Sequence, residues 1–159
     1  NFANLCQRVT TFTIKNCDGK IPSNIEFNDD DLILLDKFKN NLDLIRDKID
    51  NLDLNFYIEF IISCLFETNK YFNDQEPWKK KDDTRRLNTI VFTTLEIIRK
   101  ISFMLYPIIP QSSLNALKIF SIKENEIDFS TIDNHDYLSG GKKISKIDIL
   151  FKKIEKKND

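Results

Sequence analysis

Hydrophobic residues recur every three or four positions along most of this chain, the spacing that lines one face of an α-helix. The first run ends near Asn16, where the turn-forming segment 18–22 follows. The second run comes after residues 28–31, whose mostly acidic side chains suit the positive end of a helix dipole. We therefore predict two amphipathic helices here. Their apolar positions are Phe2, Leu5, Val9 and Phe12, followed by Leu35, Phe38, Leu42, Ile45, Ile49 and Leu52.

Three further helices follow from the same spacing. The third begins around residues 53–55 and must stop by Pro77, because proline disfavours helical geometry in the residue before it. Its apolar positions are Ile58, Ile61, Ile62, Leu65 and Phe72. The fourth opens near residues 82–84 and ends before Pro107. A shorter fifth helix covers about residues 111–120.

These five helices predict an all-α fold, an antiparallel helix bundle over residues 1–120. Beyond it, residues 121–159 hold short apolar pairs among charges with no sustained period, so we expect an irregular C-terminal tail. The chain has 159 residues, 41% of them hydrophobic, with 3 Gly and 4 Pro, which suits one helical domain with its own core. So few turn-forming residues argue against an all-β fold, and the apolar fraction argues against disorder.

Cysteine usage and hydropathy bear on the cellular setting. The three cysteines, Cys6, Cys17 and Cys64, form no C-x-x-C pair, which favours neither a disulfide framework nor a zinc ribbon. Scattered thiols of this kind fit a reducing cytoplasm. The most apolar run, residues 57–66, is far shorter than the ~20 residues that span a bilayer. We expect a cytoplasmic protein with no membrane segment.

Sequence motifs for catalysis or metal binding do not occur in the chain. There is no phosphate-binding G-x-x-x-x-G-K loop, no G-x-S-x-G, and no Glu-x-x-His pair of the kind that holds two metals in helix bundles. The one histidine, His135, lies in a polar stretch, and we expect it to be a solvated loop residue. We predict no catalytic residue and no metal site.

Polar residues on the outer face of the first helix offer a different chemistry. Asn4 and Arg8 are four residues apart and fall opposite the apolar stripe, so their side chains lie side by side. An amide beside a guanidinium can read a base edge through hydrogen bonds. The alternative is simply two polar residues on a solvated face.

The single tryptophan, Trp78, lies in a setting unlike that of a core residue. It follows Pro77, precedes a basic run and belongs to none of the apolar stripes. An indole held out beside lysines can stack on a base of single-stranded RNA while the cations attract phosphate. The alternative is a half-buried Trp that fills a helix junction. The candidate phosphate contacts are Lys79, Lys80, Lys81, Arg85 and Arg86.

Four segments, taken in chain order, carry the likeness to a known family. They are residues 4–22, with Asn-Leu-Cys-Gln-Arg-Val and Lys-Asn-Cys-Asp-Gly-Lys-Ile-Pro; residues 69–78, ending in Glu-Pro-Trp; residues 95–110, ending in Pro-x-x-Pro; and residues 150–155, Leu-Phe-Lys-Lys-Ile-Glu. Together they resemble the C-terminal anticodon-binding domain of bacterial-type methionyl-tRNA synthetase, a class I aminoacyl-tRNA synthetase, across nearly the whole chain.

The resemblance implies that the bundle recognises the CAU anticodon in the loop of methionine tRNA. In the family, the Trp after the Pro stacks on the first anticodon base, and the Asn and Arg of the first helix hydrogen-bond to anticodon bases. These roles fall on Trp78, Asn4 and Arg8. The implied parent enzyme is a methionine–tRNA ligase, which attaches methionine to tRNA using ATP and Mg²⁺ in a separate catalytic half.

The catalytic half is missing from this sequence, because the His-x-Gly-His motif of the family does not occur. The chain also begins at Asn1 rather than Met, so we expect a fragment that binds no cofactor itself. Its partners would be the tRNA and its own catalytic domain. The tail over residues 121–159 would pack on the bundle or on that domain.

Some positions depart from the family pattern. Asn1 is three residues before Asn4, where the family often has an Asn four residues before, so no role is transferred to it. Lys153 replaces the usual Arg of the closing motif, and residues 121–147 match poorly. Two alternatives remain open: a helical protein-interaction module, and the anticodon domain of a sister class I synthetase.

Overall fold

The computed structural model describes residues 1–147, and over this range the chain is helical with no β-strand. The predicted all-α fold of five helices is therefore confirmed. The helices are α1 (Phe2–Asn16), α2 (Asp29–Asp50), α3 (Leu54–Gln75), α4 (Thr84–Leu105) and α5 (Pro110–Leu117). Short 3-10 helices cover Pro77–Lys79, Lys118–Phe120, Glu124–Glu126 and Phe129–Thr131.

Acidic and amide side chains begin the three long helices, as their positions in the sequence predict. At α2, the Asn28 side chain accepts the backbone N–H of Asp31 at 3.1 Å, and the Asp31 carboxylate accepts the backbone N–H of Asn28 at 2.9 Å. Asp53 and Asp83 cap α3 and α4 with their side-chain oxygens. Each cap satisfies a backbone N–H that has no partner inside the helix.

Helix α4 lies at the centre of the bundle and packs against α1, α2, α3 and α5. Every residue from 89 to 104 is buried, including the charged Glu96, Arg99 and Lys100. The sequence predicts a single apolar face for this helix, and the structure differs because neighbours cover it on all sides. Its polar side chains are consequently held inside the protein.

The hairpin between α2 and α3 exposes apolar residues that the helical spacing assigned to the core. Helix α2 ends at Asp50, and Leu52 lies in the connecting loop with a left-handed φ of 56° and 82% of its surface exposed. On α3, Ile58 and Ile62 are also exposed. The predicted stripe is therefore buried only in part, since its residues near this loop are exposed.

The C-terminal segment up to residue 147 packs back on the bundle. The backbone N–H of Ile21 donates to the carbonyl of Lys142 at 2.8 Å, and that of Ile144 donates to Gly19 at 2.9 Å. Gly140 approaches the 22–23 backbone so closely that a Cβ would lie 2.9 Å from Cβ of Ser23. The boundary at residue 120 stays a prediction.

Two predictions concern residues at or near the end of the chain. The closing Leu-Phe-Lys-Lys-Ile-Glu motif, residues 150–155, lies outside the described residues. Within residues 1–147, none of the helices combines the length and the apolar character needed to cross a membrane.

Candidate nucleic-acid interface

Trp78 owes its position to the way that α3 ends. The helix stops at Gln75, and Glu76 takes a left-handed conformation, with φ 45° and ψ 58°, which turns the chain out of the helix. Pro77 is buried and opens a single 3-10 turn whose second residue is the tryptophan. The stop before Pro77 is confirmed, and the indole emerges with 41% of its surface exposed.

Beneath the indole lies the buried ring of Phe72, and we call Phe72 and Trp78 the aromatic platform. The ring centroids are 6.1 Å apart and the planes meet at 63°. Phe12 of α1 packs on Phe72 edge to face, with centroids 5.8 Å apart. The platform is thus anchored to both α1 and α3. The indole combines both readings of the sequence, since it fills a junction and still presents surface to solvent.

Arg8 reaches the same platform from α1. Its guanidinium carbon lies 4.8 Å from the centroid of the Phe72 ring, a cation–π arrangement. One Nη2–H donates to Oδ1 of Asn73 at 2.8 Å. Partial burial lowers the pKa of Arg8 from its ordinary value, but an arginine stays charged in proteins. The side chain is therefore held in one orientation while four of its five N–H donors remain for other partners.

The partner of Arg8 distinguishes it from the other arginines of residues 1–147. Each of the others forms an ion pair with a carboxylate, whereas the acceptor at Arg8 is the neutral amide of Asn73. Within residues 1–147, no carboxylate therefore pairs with the positive charge of Arg8, which suits an anionic ligand. The other four arginines are Arg46, Arg85, Arg86 and Arg99.

Asn4 lies one helical turn before Arg8 on the same exposed face of α1. Its side-chain amide makes no hydrogen bond with the rest of residues 1–147. The structure therefore brings Arg8 and Trp78 together on one ring and leaves Asn4 beside them on α1.

The basic residues that follow Trp78 differ in their availability. Lys79 is exposed and pairs with Glu76 at 2.8 Å. Lys80 and Lys81 form no ion pair within residues 1–147, and Lys81 is exposed. Arg85 pairs with Glu26 at 2.8 Å on the surface. Their contacts with phosphate stay predictions.

Arg86 has a structural role that the sequence does not reveal. Its guanidinium donates to both carboxylate oxygens of Asp31, at 2.6 and 3.0 Å, and to Oε1 of Gln75 at 2.7 Å. Asp31 is fully buried and also accepts a hydrogen bond from the hydroxyl of Tyr71. Arg86 is therefore held by Asp31 of α2 and Gln75 of α3 and is largely buried, which does not favour the phosphate contact predicted for it.

A second set of charges, which we call the buried ionic cluster, consists of Glu96, Arg99 and Lys100 on α4. Glu96 accepts hydrogen bonds from the Arg99 guanidinium, one of them at 2.8 Å, and all three side chains are inaccessible to solvent. Burial and the neighbouring Arg99 lower the pKa of Lys100 to about 8. The Glu-x-x-Arg spacing in residues 96–99 was the only sequence signal for the pair.

The buried ionic cluster fastens the C-terminal segment to the bundle. Arg99 donates from Nη1 to the backbone carbonyl of Thr131 and from Nη2 to that of Asn134, each at 3.1 Å. Lys100 donates to the backbone carbonyl of Ile132. His135 Nε2 lies 2.7 Å from the Asp36 carboxylate of α2. His135 lies in a loop, as the sequence predicts, but it is only partly exposed, because the segment folds onto α2 and α4.

Within residues 1–147, no group of three or more His, Cys, Asp or Glu side chains is arranged to hold a metal ion. The surface around the aromatic platform instead offers a partly exposed indole, a guanidinium and the Asn4 amide, which has no hydrogen-bond partner in this range. These features place the chain in the class of all-α domains whose surface is suited to nucleic-acid recognition.

Comparison with known proteins identifies the family. Residues 21–159 match the family model of the anticodon binding domain of methionyl tRNA ligase. The chain therefore belongs to this family, and the resemblance noted in its sequence is confirmed. Trp78 lies inside the matched range, and Asn4 and Arg8 lie before it.

Relatives and solved structures agree with the assignment. The methionine–tRNA ligase of Brucella suis is 32% identical over 133 residues, covering 83% of this chain and 26% of that protein. That of Methanosphaera stadtmanae is 31% identical over 166 residues, covering 97% of this chain and 25% of that protein. The structure of Mycobacterium tuberculosis methionyl-tRNA synthetase in complex with methionyl-adenylate matches with a TM-score of 0.87 and 27% identity, covering 96% of this chain and 30% of that one. The chain thus spans about a quarter of the length of these relatives.

Proposed function

We propose that this chain binds the anticodon loop of methionine tRNA and distinguishes the CAU anticodon from others. The observation that carries the proposal is the placement of Trp78 and Arg8 on the single ring of Phe72, within a domain of the anticodon-binding family. Trp78 supplies a stacking surface, which every base can use. Discrimination between bases therefore falls to the hydrogen-bonding groups of Arg8 and Asn4.

Electrostatics support the proposal. Arg8 carries a charge that no carboxylate of residues 1–147 compensates, and Lys80 and Lys81 lie just beyond the indole without ion-pair partners in that range. These cations would meet the phosphates that flank a base stacked on Trp78. The net charge of −1 argues for a small local site and against indiscriminate RNA binding.

The whole protein would be a methionine–tRNA ligase, acting on methionine and ATP with Mg²⁺ and transferring methionine to the tRNA. In such a protein the chain positions the tRNA through its anticodon. We assign no catalytic residue, ATP contact or Mg²⁺ ligand to it. Its second partner would be the catalytic domain of the same protein.

The proposal is tested by binding of a fluorescent anticodon stem-loop that carries CAU or a scrambled loop. The unmodified chain should prefer CAU, and Trp78→Ala should weaken CAU binding by about tenfold or more, since one stacked base is worth ~1–3 kcal/mol. Trp78→Phe keeps an aromatic face and should retain most of the affinity. Phe66→Ala removes an exposed aromatic ring of α3 and is the matched control. Circular dichroism should show unchanged helix content in each variant.

Equal affinity of the unmodified chain for CAU and scrambled loops would overturn the proposal. The dependence on salt separates RNA binding from a protein-interaction module. For single-stranded RNA, the logarithm of the binding constant falls with that of the salt concentration by ~0.7 per phosphate contact.

A further inference from the structure

Phe72 is the point at which the two proposed base-reading side chains meet. The ring is 1% exposed, and Trp78 and Arg8 both contact it, at 6.1 Å between ring centroids and at 4.8 Å from guanidinium carbon to centroid. Phe12 packs on it edge to face at 87°. Because protein interiors are closely packed, a ring in this position has little freedom to move without displacing its neighbours.

The residue next to Phe72 completes the arrangement. Asn73 accepts the hydrogen bond from Arg8 at 2.8 Å, so consecutive residues of α3 supply both supports of the guanidinium. Six residues after Phe72, the chain returns through the left-handed Glu76 and places Trp78 on the same ring. A shift of Phe72 would therefore be felt at Arg8 and at Trp78 together.

We propose that Phe72 is a positioning residue that couples Arg8 to Trp78, so that base stacking and base hydrogen bonding are read cooperatively. The inference rests on the proposed function and deepens it. Because the Phe72 ring cannot move without displacing its neighbours, a base that shifts the indole would also shift the support of the Arg8 guanidinium. Neither Arg8 nor Trp78 would make its full contribution to RNA affinity without the other.

A double-mutant cycle tests the coupling. The affinity for the CAU stem-loop is measured for the unmodified chain, Arg8→Ala, Trp78→Ala and the double variant. Contacting residues deviate from additivity, so the double variant should lose less affinity than the product of the two single losses, by about threefold or more. The same cycle in a Phe72→Leu background should be multiplicative within about twofold.

Phe38→Leu is the matched control for the loss of a buried ring. Phe38 is fully buried and packs edge to face on Phe60, away from the aromatic platform. The cavity left by Phe38→Leu should lower the free energy of unfolding about as much as that left by Phe72→Leu. It should leave the coupling between Arg8 and Trp78 unchanged. If Phe38→Leu also abolished the coupling, the effect would be general loosening and the proposal would fall.

A second readout needs no RNA, because Trp78 is the only tryptophan of the chain. Arg8→Ala should change the intensity or the wavelength of its fluorescence in the otherwise unmodified chain and leave it unchanged when Phe72 is leucine. An Arg8→Lys variant, which keeps the charge over the ring, should restore most of the original signal.

The outcomes separate the coupling from the proposed function. If each single variant weakens CAU binding and the losses multiply, the proposed function stands and the coupling is overturned. If neither single variant changes RNA binding, the proposed function is overturned and the cooperative reading of bases falls with it. The fluorescence result then reports only whether Phe72 links the two side chains.

Discussion

The aromatic platform and the buried ionic cluster both hold an arginine over an aromatic ring, yet the two arginines differ in their hydrogen-bond acceptor and in their exposure. At the platform, Arg8 lies over Phe72 and donates to a neutral amide. In the cluster, Arg99 lies over Phe103 at 5.1 Å and Tyr137 at 4.4 Å but donates to the carboxylate of Glu96. A cation–π contact alone therefore does not identify an arginine as a binding residue. The RNA contact proposed for Arg8 is favoured instead by its neutral acceptor and its exposure.

The largest expected effect belongs to the buried ionic cluster. Glu96→Ala leaves the guanidinium of Arg99 buried without its carboxylate, which typically costs about 3–5 kcal/mol of the free energy of unfolding. Urea unfolding followed by circular dichroism measures the loss. The control is Glu67→Ala, which removes the partially exposed partner of Lys37 and should cost no more than about 1 kcal/mol. Equal losses in the two variants would contradict the structural role of the buried ionic cluster.

Arg85 and Arg86 give the same comparison between an exposed and a buried ion pair, with a smaller expected difference in stability. Arg86→Ala leaves the buried carboxylate of Asp31 without its charged donor and should cost about 2–3 kcal/mol. Arg85→Ala removes a surface pair with Glu26 and should cost less than about 1 kcal/mol. Both variants are compared by urea unfolding and by affinity for the CAU stem-loop.

One outcome would instead support the phosphate contact that the sequence predicts for Arg86. If Arg86→Ala weakened RNA binding with no loss of stability, its guanidinium would contact phosphate as the sequence predicts. The expected pattern is the reverse, a loss of stability with RNA affinity unchanged per folded molecule.

Local features of the molecule were accessible from the sequence. The caps at Asn28, Asp53 and Asp83 are short-range hydrogen bonds, and Pro77 stops α3 through its effect on the residue before it. The half-exposed Trp78 follows from the same local chemistry, since no apolar stripe includes it. These predictions succeed because each depends on residues within one helical turn.

The features that sequence could not provide depend on distant parts of the chain. Arg86 meets Asp31 across 55 residues and His135 meets Asp36 across 99, which no local pattern encodes. The burial of Arg99 follows from the number of elements that surround α4. The support of Arg8 by Phe72 likewise needs α1 and α3 to be placed side by side. The sequence therefore identifies Asn4, Arg8 and Trp78 as candidate base-contacting residues, but it does not show which residues hold them in place.

The smallest effect concerns pH and involves only one of the two regions. Burial and the neighbouring Arg99 lower the pKa of Lys100 to about 8, below the ordinary value of 10.5. Between these values the unfolded chain holds a proton that the folded chain lacks, so the contribution of this site to stability rises with pH. Relative to Lys100→Met, the unmodified chain should gain about 1–2 kcal/mol between pH 7.5 and 9.5. Titrations of cysteine and tyrosine are common to both proteins and cancel in the difference.

Urea unfolding at the two pH values measures that gain. Lys39→Met, which removes an exposed lysine of α2, is the matched control and should show no comparable change relative to the unmodified chain. A difference that is flat in pH for both variants would mean that Lys100 keeps its proton inside the protein. The aromatic platform contains no group that titrates in this range, so its affinity for RNA should show no matching rise. A parallel rise in both properties would mean that the buried ionic cluster also controls the platform, and the two regions would have to be treated as one.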